Sequence, residues 1–158
     1  MINVGDKIPE ATLHVMGEKG PEAKSSLELF GKGKVVLFAV PGAFTPTCSQ
    51  AHLPGYVVHA DAIKAKGVST IACMAVNDAF VMSAWGKVSN AEHILMVADG
   101  NAEFSKKLGL DADASGFGMG QRSRRFALIL QDGVVKHVAV EQPKEFKVSS
   151  AEAILAAL

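Results

Sequence analysis

At 158 residues and 16.6 kDa, with 49% hydrophobic residues, the chain is sized for one domain and can bury a core without disulfide staples. Sixteen basic residues balance sixteen acidic ones, which removes any global field for nucleic acid or an anionic membrane, and two cysteines are too few for a disulfide-built secreted scaffold. The opening residues Met1 to Asp6 carry neither a basic leader nor an apolar stretch, and no later run reaches transmembrane length, so a soluble cytoplasmic protein is expected.

No repeat or linker divides the chain, and one domain over 1–158 is expected. Val35 to Val40 is a continuous apolar run closed by Pro41-Gly42, the pattern of a strand buried on both faces. Thr45-Pro46 then reads as an N-cap followed by proline at the first helical position, with a helix to about Lys66 that Pro54-Gly55 should kink or interrupt. Val68 to Val76 is a second strand, and Asn77-Asp78 can cap a helix to about Trp85. Ile94 to Val97 is a third strand, followed by a turn at Asp99-Gly100 and a helix carrying Phe104 and Leu108 at helical spacing. The glycine-rich stretch from Asp111 to Gln121 reads as loop. Phe126 to Leu130 and Val134 to Val140 flank Asp132-Gly133, a hairpin signal, and Ile154, Leu155 and Leu158 share one side of a closing helix. Strand-helix alternation followed by an antiparallel hairpin predicts an α/β three-layer sandwich with a mixed central sheet.

Cys48 lies in the opening turn of the first long helix. A thiolate is the reactive form of cysteine, and a free thiol with a pKa of about 8.5 is only partly ionised near neutrality. Unpaired N–H groups and the helix dipole stabilise negative charge there, by roughly 0.3–1 kcal/mol for an exposed group. A cation is therefore needed as well. Arg122, Arg124 and Arg125, just before the strand at Phe126, are the candidates, and composition does not choose among them or exclude a solvated basic loop. Cys73, within Ile71-Ala72-Cys73-Met74-Ala75-Val76, reads as a buried core thiol. His52, four residues after Cys48, reads as a surface histidine rather than a base. The chain has no Cys-x-x-Cys and no His/Cys zinc spacing, and Gly116-Phe117-Gly118-Met119-Gly120 lacks the context of a phosphate cradle.

Pro41-Gly42-Ala43-Phe44-Thr45-Pro46-Thr47-Cys48-Ser49 resembles the peroxiredoxins, specifically their type 5 branch, called type II in plants. Pro41, Thr45 and Cys48 meet the family's Pro-x-x-x-Thr-x-x-Cys pattern. His52-Leu53-Pro54-Gly55, Val76-Asn77-Asp78-Ala79-Phe80-Val81 with Trp85-Gly86, and Arg124-Arg125-Phe126 followed by Gln131-Asp132-Gly133 extend the resemblance over nearly the whole chain.

The resemblance implies a thioredoxin-like fold with an N-terminal extension and a homodimer packed near the active sites. It selects Arg125 among the arginines, returning Arg122 and Arg124 to the surface loop. It also assigns Cys48 as the nucleophile, Thr45 as the group orienting the peroxide, and Pro41 as a shield. The implied reaction is reduction of hydrogen peroxide or alkyl hydroperoxides through a Cys48 sulfenic acid, with no metal, haem or flavin. Many type 5 members carry a second cysteine near the C-terminus, which this chain lacks, whereas plant-like and some bacterial members carry one in the second strand, matching Cys73, and often use glutathione or glutaredoxin; the resemblance makes these the expected reductant. The alternatives are thioredoxin with Cys73 as resolving cysteine, or a peroxide-sensing regulator. Phe44, Phe80 and Trp85 are expected at an apolar pocket wall or dimer contact, with ordinary core packing the competing expectation.

Overall fold

In the computed structural model, which describes residues 1–158, the apolar run around Leu37 is the centre of the molecule. Strand β3 (Lys34–Ala39) lies between the parallel strand β4 (Val68–Ala75) and the antiparallel strand β8 (Phe126–Gln131). Because successive strand side chains point to opposite faces, Val36 and Phe38 enter one core and Val35, Leu37 and Ala39 the other. Each fully buried side chain of this size contributes about 1.5–3 kcal/mol relative to exposure.

The sheet has seven strands in the order β2-β1-β5-β4-β3-β8-β9, where β1 is Thr12–Gly17, β2 is Gly20–Ser25, β5 is Leu95–Ala98 and β9 is Val134–Val140. Helices α2 (Leu53–Ala65), α3 (Ala79–Val88) and α5 (Ala151–Ala157) cover the Val36 face through Tyr56, Ile63, Trp85 and Ile154. Helices α1 (Ser26–Phe30) and α4 (Glu103–Leu108) cover the other face through Phe30, Phe104 and Leu108. This is the expected three-layer sandwich on a mixed sheet.

Local chemistry explains the joints. Asp78 caps α3 by accepting the Val81 N–H at 2.9 Å, and the helix runs to Val88, past the expected end at Trp85. Asp132 and Gly133 take φ of 50° and 78°, the pair of left-handed residues that a tight hairpin with right-handed twist requires. The β1–β2 hairpin, which the sequence pattern does not announce, extends the sheet beyond β5 at the N-terminal end, and Ser25 and Glu28 form a capping box at its exit.

One expectation is corrected and a second is refined. The stretch read as loop holds a short antiparallel pair, β6 (Asp111–Asp113) with β7 (Gln121–Ser123), around a 3-10 turn at Ser115–Phe117. Strands this short carry no period, and closure by the Arg124 N–H on the Leu110 carbonyl, at 2.8 Å, is a tertiary contact. The interruption expected at Pro54-Gly55 falls in the turn before it. The turn Cys48–His52 before it is π-helical, with the Leu53 N–H on the Cys48 carbonyl, and this widened turn absorbs the missing proline N–H so that α2 continues to Ala65.

Candidate active site

Beyond β3 the chain turns at Pro41-Gly42 and is held by the Ala43 N–H on Asn77 Oδ1 at 2.9 Å. Phe44 adopts a left-handed φ of 65°, which is costly for a non-glycine residue and is imposed by the loop around it. The Thr45 hydroxyl donates to the Gly42 carbonyl at 2.7 Å. It therefore does not cap the helix by accepting a first-turn N–H, contrary to the sequence expectation, although Pro46 does open the helix and the Ser49 N–H reaches the Thr45 carbonyl at 2.9 Å. The amides of Thr47 and Cys48 have no acceptor in the protein, so the first turn presents free donors beside the Cys48 sulfur.

Arg125, at the start of β8, reaches that sulfur. Its Nη2 donates to Cys48 Sγ at 3.1 Å and its Nη1 to His52 Nδ1 at 2.8 Å, so one planar fork spans both groups. The other ring nitrogen, His52 Nε2, bonds the Ser149 carbonyl at 3.0 Å. A carbonyl only accepts, so Nε2 carries the proton and Nδ1 offers a lone pair to Arg125. Burial, reinforced by the Arg125 charge, holds the His52 pKa down to about 3. His52 is thus neutral, fully buried and committed at both nitrogens, which corrects the surface position expected for it. Its ring lies 4.9 Å from Phe38, which stacks on Tyr56 at 3.8 Å, and the Tyr56 hydroxyl shares the Ser149 carbonyl at 2.8 Å.

Both cysteines are free and fully buried, so burial does not separate them; hydrogen bonding does. Cys48 sits in the same apolar cluster as Cys73, with Arg125 as its polar partner. Cys73 pairs with Phe38 across β3 and β4 and accepts no hydrogen bond; burial first, and then the neighbouring Cys48, push its thiol pKa well above the usual value. The remaining arginines are not a freely solvated loop. Both are half-buried: Arg124 Nη2 bonds the Glu141 carbonyl at 3.3 Å, and Arg122 Nε bonds the Met119 carbonyl at 3.0 Å while its Nη1 packs against Gly42.

Pro41 is half-buried at the end of β3. Trp85 is a core residue whose Nε1 donates to Ser49 Oγ at 3.0 Å. Phe44, 6.4 Å from the Trp85 ring, is 53% exposed and Phe80 is 64% exposed, so these two belong to the surface while Trp85 belongs to the core.

The Redoxin family model matches residues 3–155. Peroxiredoxin-2B of Arabidopsis thaliana is 48% identical over 159 residues, covering 99% of this chain and 98% of its own length. The chloroplastic peroxiredoxin-2E-2 of Oryza sativa is 50% identical over 164 residues, covering 99% of this chain and 72% of its own. Among solved structures, reduced Prx3 of Vibrio vulnificus in complex with H2O2 is 60% identical, covers 99% of both chains and superposes with a TM-score of 0.96. With the family model spanning residues 3–155 and Peroxiredoxin-2B matched over nearly its full length, the chain belongs to the peroxiredoxins, thiol peroxidases that act through an active-site cysteine.

Proposed function

We propose that this chain, acting as one domain of the type 5 or plant type II branch, reduces hydrogen peroxide and alkyl hydroperoxides with Cys48 as nucleophile and is recycled by glutathione or glutaredoxin. The observation that carries this is the Arg125 fork, 3.1 Å from Cys48 Sγ and 2.8 Å from His52 Nδ1. The guanidinium donates to the sulfur, and the same donor lies where charge develops on the peroxide oxygens. The thiolate attacks one oxygen, an S–O bond forms as the O–O bond breaks, and the departing oxygen leaves with a proton as water or alcohol. The sulfur is oxidised to a sulfenic acid. The free Cys48 and Thr47 amides and the Thr45 hydroxyl surround this exchange. Because the Thr45 proton is held by Gly42, its oxygen accepts from the peroxide O–H. The Vibrio relative solved with H2O2 supports the choice of oxidant.

The surroundings of the sulfur support recycling by an external thiol. Cys73 is sealed in β4 with a thiol of raised pKa, a poor attacking group for the sulfenate. An external thiol then attacks the sulfenic acid, releasing water and leaving a mixed disulfide that a second thiol reduces. Such recycling suits the reducing cytoplasm, and the exposed Phe44 and Phe80 suit a homodimer contact. Turnover of Cys73→Ser with glutathione plus glutaredoxin is the test. Retained turnover is expected; its loss in a folded variant would replace this scheme with thioredoxin recycling through Cys73. Single oxidation without turnover under any reductant would make the protein a peroxide sensor.

A further inference from the structure

Residues 142 to 150 supply one wall of the site yet have little bonding of their own. Within this segment the backbone makes one internal bond, from the Glu145 N–H to the Gln142 carbonyl at 3.0 Å, and most of its residues are exposed. Even so, the Phe146 ring lies 4.9 Å from the His52 ring and 5.8 Å from the Arg125 guanidinium carbon. The Ser149 carbonyl, in turn, sets the His52 tautomer.

The anchor is Glu141, just past β9, which is 4% exposed. Its Oε2 accepts from the Lys147 N–H at 2.8 Å, the Ser149 N–H at 2.8 Å and the Ser149 hydroxyl at 2.7 Å. Its Oε1 is buried with no partner. Burial alone would raise the Glu141 carboxyl pKa, but the donors from Ser149 and its neighbours outweigh it and leave the group below its usual value, hence ionised near neutrality. The main chain ties the acid to the site as well, since the Glu141 N–H donates to the Arg125 carbonyl at 3.0 Å. The carboxylate is thus held by one oxygen while the other is buried without a partner. What its bonded oxygen accomplishes is to gather the segment onto the back of the arginine.

We propose that Glu141 is a positioning residue for peroxide reduction: by drawing Lys147 and Ser149 onto one oxygen it holds Phe146 and the Ser149 carbonyl against His52 and Arg125, fixing the guanidinium on the Cys48 sulfur. This rests on the assignment of Cys48 and Arg125 made above. The neighbouring Ser149 hydroxyl is then a helper whose removal leaves the carbonyl in place.

The test compares two reactions of Cys48 in the full chain, oxidation by hydrogen peroxide and alkylation by iodoacetamide, at one pH. Alkylation needs the thiolate but no donor on peroxide oxygens. In folded Glu141→Gln the peroxide rate constant is expected to fall roughly tenfold or more, as misplacement of a catalytic group does, while alkylation changes by less than about threefold. Ser149→Ala should show a smaller loss with the same selectivity, and it decides alone if Glu141→Gln does not fold. Peroxide rates within about twofold of wild type in the folded variants, or equal losses in both reactions, overturn the proposal. Failure of the wild-type chain itself to react with peroxide would instead remove the Cys48 assignment, so the two failures are distinguishable.

Discussion

Replacing Arg125 by lysine keeps the charge and removes the fork, which isolates what planarity contributes. In the native site Nη2 holds Cys48 Sγ at 3.1 Å while Nη1 holds His52 Nδ1 at 2.8 Å. An ammonium is a compact point charge and cannot serve both groups in one plane. Loss of a hydrogen bond to a charged group is worth about 1.5–3 kcal/mol, or roughly a ten- to 150-fold lower rate constant for Cys48 oxidation. Leaving the buried His52 Nδ1 without its donor costs about 1–3 kcal/mol of stability, at roughly 2–4 °C of Tm per kcal/mol. Trp85 supplies the assay: its indole donates to Ser49 Oγ, one residue from the sulfur, so stopped-flow fluorescence should follow oxidation. Circular dichroism melting gives the second number. A folded Arg125→Lys protein that reacts within about threefold of wild type would refute the fork as the source of activation.

Two other perturbations probe neighbouring groups. Thr45→Val removes the hydroxyl held by Gly42 and should slow peroxide oxidation by on the order of tenfold or more, whereas Thr45→Ser should retain most of the rate; equal losses in the two variants would assign Thr45 to packing. For His52 the sign is fixed by its depressed pKa: the unfolded chain takes a proton near pH 6.5 while the folded chain resists until about 3. Its contribution is therefore fully present above pH 6.5 and is lost as pH falls, by at most about 1.4 kcal/mol per pH unit. Urea midpoints measured between pH 6.5 and about 4 should fall less steeply in His52→Gln than in wild type, and parallel slopes would show that His52 titrates freely.

Local signals were enough to place much of the fold. Val35 to Val40 is apolar at every position, and the only elements that bury such a short run on both faces are central strands, so β3 was legible before any contact was known. Asp132-Gly133 and Asp78 likewise carry their turn and cap in their own backbone and side-chain chemistry. The β6–β7 pair was not legible because its strands are too short to show a period, and the N-terminal hairpin was not because β2, Gly-Pro-Glu-Ala-Lys-Ser, has no apolar alternation and the docking of β1 on β5 is a contact distant in sequence.

The site divides along the same line. Cys48 announced itself by position, since Thr45-Pro46 marks a helix start and a helix start favours negative charge whatever the rest of the chain does. Which arginine serves it, and that His52 is interior, were decided only when β8 came beside β3 and carried Arg125 over the opening turn of the helix. No local pattern encodes that approach: Cys48 and Arg125 are 77 positions apart, and Arg125 and His52 are 73 apart. Local sequence places a sulfur at the positive end of a helix; the fork that holds it and the buried Glu141 behind that fork arise only in the folded chain, because charge pairing inside a core depends on where distant strands meet.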